Sequence, residues 1–462
     1  MADRWIQIRA VTTLAVLGAV TLMAPSATTT GVARAAPRRP NILIIVTDDQ
    51  RSSLNLMPET VHRFVENGRL FPQASVTTPL CCPSRSSILT GRFAHNHGVI
   101  SNTGVTHNLD QTTTLEYYLQ RQGYRTAIFG KYLNHWGSEN PPYFDDWATA
   151  PGNTYYDGTY NVNGTTTTIP AYSTTYLRRK AVRFIDNAAT GASREPWFMY
   201  LTPFAPHGPF VPQTKYADAV VPPLRDNPAI EEIYKKDKPP YVQEASATYE
   251  EGAALHDAQA RTLLSVDDMV GRVFAALHDT GQGRNTLAFF LSDNGFMWGE
   301  HGLVKKSVPY LQSIKVPMMM RWPNHGVDGT SDFRLVANID IAPTVLDATG
   351  YAGTLNAPLD GRSLLDPSWW RGRMLNEFWS VEQRTPTWAS TRTRKYQYTE
   401  YYDADGNIIF REYYDLVHDP WQLDNLLGDS DPTNDPTNLE ALHDQLSADR
   451  SCEGTTGPAA CP

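Results

Sequence analysis

Three apolar runs of strand length punctuate the chain, Asn41–Thr47, Trp197–Leu201 and Thr286–Leu291, and Gly123–Tyr132 reads as turn, strand and exit. The runs are apolar continuously and not alternately, the pattern of a parallel strand buried on both faces. Between them lie stretches with helical spacing: Pro58–Asn67 stopped by Gly68, Thr114–Gln122, Tyr176–Asn187, and Tyr249–Thr280, the longest, with Leu263, Val266, Val270 and Phe274 on one face. Strands alternating with helices predict an α/β fold around a mostly parallel sheet. Arg69–Val76 and Val316–Arg321 read as further extended segments, and Asn338–Thr349 as a helix.

Two regions break the alternation. Polar, β-prone runs around Asn163-Gly164 predict a hairpin over Tyr155–Pro170, read as a flap inserted over a site. Lys215–Glu244 is rich in proline and charge without periodicity and reads as a long surface loop. From about residue 371 the character changes. Met374–Trp379, Tyr396–Tyr402 and Ile408–Tyr414 are aromatic strand patterns, the last two joined by Asp403–Asn407, and Asn438–Ser447 is helical. The expected organisation is an export leader over 1–35, an α/β domain over 36–370, a small α+β subdomain over 371–450 and a tail over 451–462.

The leader rests on Arg4 and Arg9, the apolar run Ala10–Ala24 and the small-x-small site Ala33-Arg34-Ala35. The run is short for a membrane span, so a secreted protein without a stable membrane anchor is expected. The formal charge is −9, and losing residues 1–35 removes a net +2 to leave about −11. So acidic a chain is a poor general binder of nucleic acid, and any anionic substrate needs a local positive field. Cys452 and Cys461 are spaced to pair in the tail. Cys81 and Cys82 are adjacent, where a mutual disulfide is strained, and so are left for chemistry.

That chemistry centres on Pro79-Leu80-Cys81-Cys82-Pro83-Ser84-Arg85, followed by Leu89-Thr90-Gly91. Pro83 suits a first helical position and Gly91 a helix end, which puts Cys81 at the mouth of an N-terminus that favours anions. Arg85 adds a fork that fits tetrahedral oxyanions. Asp48-Asp49 and Asp293-Asn294 each end a buried strand, where open α/β sheets hold ligands. Oxygen donors of this kind favour calcium or magnesium over zinc. Taken singly these are ordinary features: a buried cysteine pair, a solvated Asp-Asp turn. His95-Asn96-His97 reads as hydrogen-bonded surface histidines, and Asp267-Asp268 as a capping or solvated face.

The string Cys81-x-Pro83-Ser84-Arg85 with its later Leu-Thr-Gly resembles the signature of the type I sulfatases. Gly123-Tyr124-x-Thr126…Gly130-Lys131-Tyr132 resembles their second signature, and Ser292-Asp293-Asn294-Gly295 follows in family order. The resemblance runs from about Pro40 to Tyr414-Asp415-Leu416. It implies an alkaline-phosphatase-like three-layer sandwich and sulfate monoester hydrolysis. In that family the first cysteine is oxidised to formylglycine by a dedicated generating enzyme, and its hydrated aldehyde is the nucleophile. Carried over, Asp48, Asp49, Asp293, Asn294 and the residue at Cys81 bind Ca2+, with Mg2+ the alternative. Asp293 also takes the proton of the attacking hydroxyl. Arg85, Lys131 and Lys306 hold the sulfate, Lys306 being preferred to Lys305 for its spacing to Tyr310, and His207 protonates the leaving oxygen.

One position departs from the pattern. Many sulfatases carry histidine two residues after the Gly-Lys lysine, where this chain has Leu133. His135, or His207 acting twice, would then drive sulfate elimination. Gly-Lys-Tyr-Leu-Asn, Leu-Cys-Cys-Pro-Ser-Arg, Leu263–Asp268 and Leu335–Asp340 resemble the glucosamine-6-sulfatase and heparan-6-sulfatase branch. A 6-sulfated N-acetylglucosamine unit is the expected substrate, with Asn134 and Trp136 as sugar contacts. The competing readings are a broad arylsulfatase, a phosphate or phosphonate monoester hydrolase on the same scaffold, and a silent carbohydrate-binding relative.

Overall fold

The five side chains Ile42–Val46 are wholly buried, a gross gain of about 10 kcal/mol from burial, and the protein is layered around them. The computed structural model describes residues 38–462 apart from 53, 105, 135, 137, 153, 191–194, 328 and 382–384. The expected leader lies outside the described residues. The strands of the main sheet are β1 (Asn41–Thr47), β2 (Arg69–Leu70), β3 (Arg125–Gly130), β4 (Asp146–Thr149), β5 (Gly158–Val162), β6 (Thr165–Ile169), β7 (Trp197–Thr202), β8 (Thr286–Ser292), β9 (Met318–Arg321) and β10 (Thr330–Ser331). They lie in the order β10-β2-β9-β8-β1-β7-β3-β4-β5-β6. The central five, β8 to β4, are parallel, and β9 and β5 turn antiparallel at either side.

Alternation along β1 sets the layers, because successive side chains face opposite ways. Ile42, Ile44 and Val46 pack with the helices Cys81–Thr90, Leu115–Arg121 and Ile341–Ala348. Leu43 and Ile45 pack with the helices Ser173–Thr190 and Tyr249–Asp279. The result is a helix–sheet–helix sandwich. A second, antiparallel sheet follows: β11 (Met374–Phe378), β12 (Thr387–Arg392), β13 (Tyr396–Tyr402) and β14 (Ile408–Asp415), in that order. It joins the rest through a cluster of Phe93, Leu335, Ile339, Met374, Tyr398 and Leu446. The Cys452–Cys461 disulfide lies in the same cluster. Among the described residues no helix is long and apolar enough to cross a membrane.

Several expectations change. The hairpin exists, but β5 pairs with β4 and so extends the sheet edge instead of forming a flap. Arg69–Val76 is regular only at Arg69–Leu70. Lys215–Glu244 is not all surface, since Asp237 and Lys238 are buried and Lys238 bonds Asp237 and Glu232. His95 and His97 sit on a short helix, hydrogen-bonded to Glu377 and Ser87. Asp267 caps the turn at Glu59 and Thr60, whose amides donate to it.

Candidate functional site

Parallel register delivers the site residues to one edge. Thr47 lies opposite Ser292 and Gly130 opposite Thr202, so Asp48-Asp49, Asp293-Asn294, Lys131 and the loop bearing His207 leave the sheet together. Gly130 is required there, because a Cβ would lie 2.0 Å from Thr202 O. Asp49 adopts φ 69°, an uncommon conformation for a residue with a side chain. Its amide donates to Asp293 Oδ1 at 3.1 Å, which links the two strand ends.

Across from this edge stands the helix Cys81–Thr90. It starts at Cys81 with Leu80 as N-cap, so Pro83 is its third residue and not its first. The first-turn N–H groups have no intrahelical partner, and proline at the third position therefore loses no bond. Gly91 closes the helix at φ 69°. Asn338, fully buried, holds the first turn in place: its Oδ1 accepts from Thr77 N at 3.0 Å and its Nδ2 donates to Ser84 Oγ at 2.9 Å. Cys82 turns from the site, and its Sγ accepts from Asn134 N at 3.0 Å.

Cys81 Sγ thus lies 3.5 Å from Asp48 Oδ1 and 3.0 Å from Lys306 Nζ. Lys306 also bonds Asp49, whereas its neighbour Lys305 leaves for Thr385 Oγ1. Arg85 donates from Nε to Asp293 Oδ2 at 2.8 Å and from Nη1 to Lys131 O at 2.8 Å, with Nη2 3.6 Å from Asp48. Lys131 Nζ reaches Asp48 Oδ2 at 2.6 Å. His207 Nε2 is 3.7 Å from Asp49 Oδ2, and its backbone carbonyl accepts from Tyr155 Oη at 2.6 Å.

Three carboxylates and three fixed cations therefore share one buried volume. Burial would raise the Asp48 pKa, but Lys131, His207, Arg85 and Lys306 outweigh it and hold that carboxyl well below its usual range. Burial, then the Asp48 charge, pushes Asp293 up. The same two causes lift the Cys81 thiol to about 11. At neutral pH Cys81 is thus a thiol, and an unmodified thiol is a poor nucleophile.

The cluster also fits a divalent cation. Asp48, Asp49, Cys81 and His207 offer donor atoms within 4.8 Å of one another. Asn294 Nδ2 donates to Asp49 Oδ1 and Gly295 O, which leaves Asn294 Oδ1 buried without a partner. An orphaned buried oxygen beside carboxylates is what a cation ligand looks like before the cation is added. The His207 imidazole is the one addition to the expected set, which already included the residue at Cys81.

The sequence model of the family described as Sulfatase matches residues 40–351. The chain belongs to the sulfatase family. A second model, N-sulphoglucosamine sulphohydrolase, C-terminal, matches residues 299–451. A Sulf-1 homologue of Caenorhabditis elegans, described as an extracellular sulfatase, is 35% identical over 71% of this chain, which spans 48% of that protein. An N-acetylglucosamine-6-sulfatase of Homo sapiens is 32% identical, covering 92% of this chain and 87% of the relative. A solved complex with the substrate D-glucosamine-2-N,6-O-disulfate shares the fold, with TM-score 0.77 and 22% identity over 89% of this chain and 97% of that one. The alkaline-phosphatase-like architecture expected from the motifs is therefore the one present.

His135 lies outside the described residues, and Leu133 is buried. Trp136 does not offer a sugar platform. It is 7% exposed, and His107 and Tyr132 pack on it at 4.7 and 5.6 Å between ring centroids. The sequence reading assigned no part to Asn338 or Tyr155, for which neither spacing nor composition carries a signal.

Proposed function

We propose that the protein hydrolyses sulfate monoesters of 6-sulfated N-acetylglucosamine-type sugars, using an oxygen nucleophile made from Cys81. The observation that carries this is the place of Cys81, between Lys306 and Asp48 at the start of a helix, with Lys131 and Arg85 gathered on the same Asp48. Oxidised to formylglycine by a generating enzyme, Cys81 would supply a hydrated aldehyde as that nucleophile. Asp48, Asp49, Asp293, Asn294 and the modified Cys81 would hold Ca2+, or Mg2+ in its place, which when bound acidifies the attacking hydroxyl and draws charge from a sulfate oxygen.

The protein's own side chains do the rest. Lys131 bonds Asp48 and Lys306 bonds Asp49; with a dication held by those carboxylates, both ammonium groups and Arg85 would carry surplus positive charge. An ester sulfate answers that surplus, and fixed cations stabilise its oxygens without reorganising as the S–O bond breaks. Asp293 accepts the proton of the attacking hydroxyl. His207 donates a proton to the departing sugar oxygen; its Nδ1 is engaged by Gly208 O at 2.8 Å, which turns Nε2 inward. The choice of sugar follows the human and solved relatives named above. Export is part of the proposal, since residues 1–35 read as a leader and a disulfide suits an oxidising compartment.

The test is mass analysis of the peptide spanning Cys81 in protein from its native host, paired with sulfate release from 6-sulfated N-acetylglucosamine. Conversion of the thiol to an aldehyde, with release abolished in Cys81→Ala at unchanged circular dichroism, is expected. Full activity in Cys81→Ala, or from protein whose Cys81 stays a thiol, refutes the nucleophile. Faster turnover of an aryl phosphonate than of the matched aryl sulfate refutes the substrate class.

A further inference from the structure

Away from the catalytic cluster, two cationic residues flank Ser75, Arg392 by a side-chain bond and Lys315 by a backbone bridge. Arg392 lies on β12 and is 1% exposed. Its Nη2 donates to Gln73 O at 2.9 Å and to Ser75 Oγ at 3.2 Å, while its Nε is buried and has no hydrogen-bond partner. Lys315 pairs with the same Ser75 across an antiparallel bridge and is half-buried, which leaves a way in from solvent.

The other fully buried arginines are neutralised: Arg85 by Asp48 and Asp293, Arg371 by Asp340. Among the described residues no carboxylate does this for Arg392 or Lys315. Burial holds Arg392 down to about 10, and burial with the Arg392 charge holds Lys315 down to about 8, no acid opposing either. A buried and a half-buried like charge side by side carry a desolvation penalty that a counter-ion relieves.

We propose that a chloride ion binds between Arg392 Nε and the Lys315 ammonium. Both two-pronged edges of the guanidinium use an N–H of Nη2, and Nη2 is spent on Gln73 and Ser75, so Nε offers its N–H without a parallel neighbour. That suits a monatomic anion better than an oxyanion, which takes two parallel bonds from an arginine. The site lies at the seam between the four-stranded sheet and the segment leading into the Cys81 helix. Asn376 Nδ2 to Val76 O at 2.7 Å and Glu377 N to Thr77 O at 2.8 Å close the same seam. Bound chloride therefore fastens the C-terminal sheet to the segment that carries the nucleophile.

The full-length protein is melted across a chloride series, with ionic strength held constant by gluconate. A saturable rise in Tm is expected, with half-saturating chloride roughly tenfold higher in Lys315→Met and no rise left in Arg392→Met. Crystals soaked in sodium bromide should show an anomalous peak in contact with Arg392 Nε. Should Arg392→Met not fold, the half-exposed Lys315→Met and the bromide map decide the matter. A Tm indifferent to chloride, a dependence that Lys315→Met leaves intact, or a map without density at Arg392 overturns the site. A response to sulfate without one to halide overturns the choice of ion.

Discussion

Glu116 offers a prediction that does not depend on any bound group. It is fully buried on the helix Leu115–Arg121, and burial lifts its carboxyl from 4.5 to about 7. The neighbouring oxygens suit a protonated acid. Tyr132 Oη lies 2.6 Å from Gln111 Oε1 and 3.0 Å from Glu116 Oε1. The single phenolic proton goes to the nearer oxygen, and a protonated Glu116 can then donate to Tyr132. Because the folded state keeps this proton to higher pH than the unfolded chain, folding binds a proton between about pH 4.5 and 7. Stability from this group is therefore full below 4.5 and is lost as pH rises through 7. At roughly 1.4 kcal/mol per unit the loss is about 3 kcal/mol.

Glu116→Gln removes the titration and keeps the shape. Its amide leaves a donor where Oε2 has no partner, a cost of about 1–3 kcal/mol that does not vary with pH. Urea unfolding of both proteins from pH 4.5 to 8 separates the two effects. The wild type should lose about 3 kcal/mol more than the variant across that range. His97, pushed down to about 3 by burial, loses stability in the opposite direction as pH falls below 6.5, but it is common to both curves and cancels in their difference. Parallel curves would show that Glu116 is ionised in the folded protein and that the reasoning fails.

Three further outcomes are expected. Asn338→Ala should cost about 2–4 kcal/mol, because it leaves the Thr77 amide unpaired and opens a void under the Cys81 helix; chemical denaturation measures the loss, and a variant within error of wild type contradicts the role. Ca2+ should raise the Tm of the chelator-treated wild type if the proposed site holds it, and Asn294→Leu should then raise half-saturating calcium roughly tenfold; an unchanged midpoint would remove Asn294 from the ligand set. Reducing Cys452–Cys461, which closes a loop at sequence separation 9, should cost about 2–3 kcal/mol by the loop-entropy estimate, read as a fall in Tm with and without reductant.

The layers were legible because β8, β1, β7 and β3 are buried on both faces, so apolar side chains dominate them and the runs stand out. The same argument explains why β12 escaped notice. β12 faces the rest of the protein with Ser390 and Arg392, both buried in hydrogen bonds to Thr399, Gln73 and Ser75. Thr387–Arg392 therefore lacks the apolar alternation by which a half-buried strand is found. The flap reading failed for a related reason. Asn163-Gly164 specifies a turn, but which strand pairs with the hairpin is decided by β4, a partner that local pattern does not reveal.

At the site, what could be read in advance were residue types that cohere only as a set: a cysteine spaced to a proline and an arginine, and an Asp-Asp and an Asp-Asn pair ending two buried strands. Register then brings the two strand ends together, as the pairing of Thr47 with Ser292 does. What could not be read were contacts set by side-chain direction. Trp136 has the composition of a sugar platform, yet Tyr132 and His107 use up its faces. Lys305 and Lys306 are alike in sequence, and the chain sends one to Thr385 and the other to Asp49 and Cys81. Ser307 follows them at φ 70°, so the backbone turns just past Lys306. Charge supplies the reason for the outcome: Asp49, buried with an amide and an imidazole near its oxygens, needs a cation, and Lys306 is the lysine within reach of it.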